Sequence, residues 1–153
     1  MQTVEIRDET QKHFLDFDLR EVLQAIEHFS GNYRWSVLWL SGAGENIQEL
    51  EERVAAVPQG LVTDWNGLLL LSQRISQTYD GLFVATDPDS PEPTLIAGEL
   101  EHTPAVALIV EAVDSSYWLV SARSSGALTS IRERFRDVMP HPSPSDSEVT
   151  GKE

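Results

Sequence analysis

Residues 104–138 limit the folds open to this chain more than any other stretch, because the hydrophobic period changes there from strand to helix. As an extended strand, residues 105–113 would be apolar on both faces, interrupted only by Glu111. A strand of that composition belongs in the interior of a sheet. Asp114-Ser115-Ser116 is turn chemistry, and Tyr117-Trp118-Leu119-Val120 returns with high β-propensity. Leu128, Ile131, Phe135 and Val138 then recur at helical spacing behind a Ser124 or Ser125 cap. The stretch reads as a hairpin followed by a helix.

The chain before it supplies the partners. Residues 3–6 alternate weakly, as a short strand or a lead-in, and Phe14, Leu15 and Phe17 are apolar enough to be pinned to a core. Asp18-Leu19-Arg20-Glu21 has the form of a capping box, with Phe17 and Val22 placed as a hydrophobic staple. Leu19, Val22, Leu23, Ile26 and Phe29 form the buried stripe of that helix, which Ser30-Gly31-Asn32 ends. Residues 33–40 read as an interior strand, with Trp35, Val37 and Trp39 on one face and Leu38 and Leu40 on the other. Ser41-Gly42-Ala43-Gly44 reads as a turn, and Asn46 as the cap of a second helix buried through Ile47, Leu50, Val54 and Val57.

A third helix is expected from Thr63 or Asp64 to about Tyr79, with Asp80-Gly81 closing it before a strand over residues 82–86. Pro88, Pro91 and Pro93 forbid regular pairing between them, so that segment is a loop. Residues 94–100 read as another short strand, hairpinned to the one before. Four strands in succession without a helix between them argue for an α+β domain. Its mainly antiparallel sheet has about five strands, with three or four helices packed on it. Residues 1–138 form that single domain, and residues 139–153 read as a disordered tail.

The chain has 153 residues, enough for one core, and no cysteine, so disulfides and thiolate chemistry are excluded. No apolar run approaches the roughly 18 residues of a membrane span, and the first residues lack the pattern of a signal peptide. A cytoplasmic protein without a membrane partner is the expectation. The formal charge is −14, and the exception to the acidic body is the last helix, with Arg132, Arg134 and Arg136. A body this acidic argues against nucleic acid, whose phosphates need clustered cations. It favours a basic protein partner.

The motifs that could carry chemistry are incomplete. Ser41-Gly42-Ala43-Gly44-Glu45-Asn46 occupies the strand-to-helix position of a phosphate loop but lacks its third glycine and its lysine. Asp87-Pro88-Asp89 begins like an oxygen-ligand calcium loop and then supplies two further prolines. No metal or other cofactor is therefore expected. Glu99 and Glu101 would lie on one strand face with His102 next to them, as half of a metal or acid–base site whose other half is not visible. Asp114, Ser115, Tyr117 and Trp118 form a polar and aromatic tip without the elbow or the histidine of a hydrolase.

The sequence reads best as a non-enzymatic, acidic protein-interaction domain, for which inhibitors and immunity-type proteins that neutralise basic enzymes are one physical model. Asp114, Ser115, Tyr117, Trp118, Glu99, Glu101 and His102 are its candidate binding patch. The alternatives are a ligand-binding or hydrolytic site assembled around Glu99, Glu101, His102 and Asp114, or a homodimer that buries the tryptophan-rich strand.

Overall fold

The computed structural model describes residues 1–9 and 17–141. In chain order the elements are β1 (Gln2–Ile6), α1 (Leu19–Ala25), β2 (Arg34–Gly44), α2 (Ile47–Ala55), β3 (Leu61–Thr63) and α3 (Trp65–Arg74). There follow β4 (Ile75–Thr86), β5 (Val106–Val113), β6 (Tyr117–Ala122), α4 (Ser125–Arg134) and β7 (Val138–His141). Short 3-10 segments lie at Glu27–Phe29 and Ala97–His102. The class is α+β, as expected, but among the described residues the antiparallel sheet has seven strands, in the order β3-β2-β4-β5-β6-β1-β7.

The four α-helices among the described residues bury their apolar stripes on one face of this sheet. Leu19, Val22 and Leu23 of α1, Leu50 and Val54 of α2, Leu68 of α3, and Leu128 and Ile131 of α4 join one cluster with Val4, Trp35, Phe83, Val110 and Trp118. Phe17 packs its ring on Phe135 at 4.8 Å and on Trp118 at 6.3 Å, and Trp35 packs on Trp65 at 6.0 Å. Each large side chain fully buried in this way contributes roughly 1.5–3 kcal/mol. A second, smaller cluster of Leu82, Val84, Leu95, Leu100 and Val106 lies apart from the main core, under the connection between β4 and β5.

Local chemistry sets the helix starts. Glu21 reaches back to accept the Asp18 N–H at 3.0 Å, the expected capping box, while an Asp18 carboxylate oxygen accepts the N–H of Thr78 on β4 at 3.3 Å. Burial raises the Asp18 pKa, and the hydrogen bonds from Thr78 and Leu19 offset only part of that. Asp64 caps α3 by accepting the Gly67 N–H at 2.8 Å.

Several expectations are corrected. Helix α3 stops at Arg74, and Ile75–Thr86 is one strand, so the residues expected as the third helix's last turn extend the sheet. Their partner is Ser41-Gly42-Ala43-Gly44, which is no turn but the bulged end of β2. Glycine serves close approach there: a Cβ on Gly42 would lie 2.4 Å from the Gln77 carbonyl oxygen. Residues 94–100 form no strand; Leu95 and Leu100 instead fill the second cluster, and the Leu95 N–H bonds the Gln59 side chain at 2.7 Å.

The last helix ends at Arg134 rather than Val138, and Val138–His141 pairs with β1 as an edge strand, where Pro140 costs no ladder bond to a neighbour. Residues 139–141, expected in the tail, thus belong to β7, and residues 142–153 lie outside the described residues, as do Phe14 and Leu15.

Candidate functional site

The sequence-derived patch divides in two. Glu99, Glu101 and His102 sit on a 3-10 segment rather than a strand; Glu99 and His102 are exposed, and the His102 ring lies 3.8 Å from Glu101. This segment precedes the start of β5, whereas Asp114 follows its end. Eight residues of strand, about 25 Å, separate the two groups. Glu99, Glu101 and His102 therefore do not meet Asp114 in one pocket.

At the tip, Asp114 and Ser115 both have positive φ, 50° and 56°, as mirror-image hairpin turns require. The Asp114 N–H donates to the Asp80 carboxylate at 3.0 Å and the Ser115 N–H to the Tyr79 carbonyl at 2.8 Å, so the tip is tied to β4. The next two residues part company. Trp118 is 1% exposed and belongs to the core, whereas Tyr117 faces the other side of the sheet beneath the Arg7 guanidinium, 4.3 Å from its ring centroid.

Tyr117 opens onto a surface that becomes apparent only from the strand register. Strand β5 alternates buried and half-buried residues throughout, so one of its faces is left open. Residues paired across antiparallel strands share a face. One row running across the sheet on that side is Met139, Glu5, Leu119, Glu111, Leu82 and Trp39. A parallel row holds His141, Thr3, Ser121 and Ile109. Leu82 is covered by the second cluster, but Trp39 and Met139 are 40% and 51% exposed, and Leu119, Glu111 and Ile109 are half-buried.

The two carboxylates of the first row, about 10 Å apart across two strand spacings, differ in environment. Glu5 forms a close ion pair with Arg7, which raises the arginine pKa, and lies 3.4 Å from the His141 ring. Glu111 has neither a hydrogen bond nor an ion pair among the described residues. Burial raises its pKa, repulsion from Asp80 adds to that, and His141 only partly offsets them. A carboxylate set among Leu119, Ile109 and Leu82 without a donor would be stabilised by an added cation.

Sequence reasoning noted Glu111 as the lone polar residue of an apolar strand. It could not place Glu5, Arg7 and His141 near it, because that requires the pairing of β1 with β6 and β7. Among the described residues no group of acidic and histidine side chains could hold a metal ion, and no helix is long and apolar enough to cross a membrane. No family model, no curated protein and no solved structure matches the chain.

Proposed function

We propose that the protein is a non-enzymatic binding module that docks a basic protein segment on the open face of its sheet, with a lysine or arginine of the partner meeting Glu111. Glu111 carries this reading: it is a half-buried carboxylate in an apolar setting with no hydrogen bond or ion pair among the described residues. Leu119, Ile109 and Trp39 supply apolar contact around it, and the chain's charge of −14 favours encounter with a cationic partner. The chain's own residues 142–153 carry Asp146, Glu148 and Glu153 against Lys152, a poor charge match for this face. Inhibitors and immunity-type proteins that mask a basic enzyme are the physical model for such a surface.

The test places a photo-crosslinking amino acid at Leu119 and, as a control, at Leu70, which is 65% exposed on α3 in the opposite layer. Crosslinking in the native host is expected to join position 119, and not position 70, to a protein through a Lys- or Arg-rich segment. Glu111→Lys is expected to abolish that product, and high salt to reduce it. Crosslinks at 119 only to a second copy of the chain, or none at all, would sink the proposal.

A further inference from the structure

The connection between β4 and β5 runs from residue 87 to residue 105, longer than most connections inside a compact domain, and such lengths often serve a purpose. Where it folds back over the sheet it encloses a cavity of about 340 Å³, lined by Arg34, Ser36, Gln59, Thr86, Pro93 and Leu95, with Glu92 also on its wall. The volume suits a small molecule. The polar groups of the wall are unevenly committed.

Arg34 and Ser36 are alternate residues of β2, paired with Thr86 and Val84, so all four lie on the face that holds the second apolar cluster. The Arg34 Nη1 is buried with no hydrogen-bond partner, and the guanidinium forms no ion pair among the described residues. Ser36 is 3% exposed, and its hydroxyl likewise makes no hydrogen bond there. Gln59 accepts the Leu95 N–H through Oε1, which fixes the amide and leaves its Nε2 protons uncommitted. Thr86 donates its hydroxyl to the Arg34 carbonyl at 3.4 Å and is occupied. Three donor-bearing residues thus line the cavity, one of them a permanent cation, while Pro93 and Leu95 make an apolar wall.

We infer that this cavity is a binding site for a small organic carboxylate, whose oxygens take the Arg34 guanidinium, the Ser36 hydroxyl and the Gln59 amide while its apolar body lies on Pro93 and Leu95. The planar fork of arginine matches a carboxylate in two parallel bonds. Glu111 does not line this cavity.

The test follows backbone amide resonances of the intact protein during separate titrations with butyrate, butylammonium and inorganic phosphate at constant ionic strength. Butyrate is expected to shift the amides of Ser36, Gln59, Thr86 and Leu95 saturably. Arg34→Lys is expected to weaken it by about tenfold, the loss of one bidentate pair, and Ser36→Ala by a smaller factor without disturbing the fold. Glu92→Gln is expected to leave binding intact or tighten it by removing a like charge. No saturation, tighter binding of phosphate or butylammonium at the same amides, or indifference to both Arg34→Lys and Ser36→Ala would overturn the inference.

Discussion

The Asp8 carboxylate accepts the backbone N–H of Asp137 at 2.7 Å, joining residues 129 positions apart in the chain. The same carboxylate takes the Arg136 N–H at 3.0 Å, and Asp8 is only 5% exposed. These bonds hold the turn between α4 and β7 against the end of β1. Asp8→Ala should cost about 2–3 kcal/mol, the scale of hydrogen bonds to a buried charge, and Asp8→Asn less. Urea denaturation gives the difference, and amide exchange at residues 138–141 should accelerate before the rest of the sheet.

Glu111 carries a pH signature of defined sign. Its folded pKa is raised above the ordinary 4.5, so between those two values the folded state holds a proton that the unfolded chain has released. Stability from this group is therefore present in acid and lost as pH rises through that window. At neutral pH, Glu111→Gln should stabilise the protein by less than about 1 kcal/mol, because solvent screens a half-exposed group. The advantage should vanish below the unfolded carboxylate pKa. Thermal melts from acid to neutral pH test this, and an advantage that grows in acid would contradict it.

Gly44 has φ of +155°, and a Cβ there would lie 2.0 Å from the Arg74 carbonyl oxygen. Gly44→Ala should destabilise by about 2–4 kcal/mol, through both backbone conformation and overlap. Gly31→Ala, with nothing within 4 Å of the added methyl, should stay within about 0.5 kcal/mol. Denaturant midpoints of the two variants should separate clearly.

Asp64 holds the first turn of α3 through a 2.8 Å bond to Gly67 from an exposed position. Asp64→Ala should cost about 1 kcal/mol and Asp64→Ser much less, since serine also caps. Equal losses in the two variants, measured by thermal melting, would show that the carboxylate acts otherwise than as a cap.

Periodicity made the helices legible and the strand order not. The stripes of Leu19, Val22 and Leu23 and of Leu128 and Ile131 are buried as their spacing implied. Ile75 fits a helical stripe and the first residue of a strand equally well, so the end of α3 was decided by a partner, the glycine-rich end of β2, that no local pattern reveals. Glycine there served backbone approach rather than chain reversal. At the surface, Tyr117 and Trp118 looked alike in sequence, but adjacent residues of a strand face opposite ways, and only the packing of four helices on one side told which was buried. Arg34, Ser36 and Gln59 gave no local signal, because the cavity they share is closed by residues more than 30 positions away.

The placement of β1 between β6 and β7 also orders events during synthesis. The first strand leaves the ribosome with neither neighbour made, since β6 begins at Tyr117 and β7 ends at His141. Val4 and Ile6 must stay without their native strand partners until nearly the whole described chain has emerged. Such long-range pairing slows folding and leaves an apolar segment open to wrong partners in the interval. A released fragment ending before residue 117 should therefore hold β2, β3, β4 and β5 together while its first six residues remain accessible to a protease.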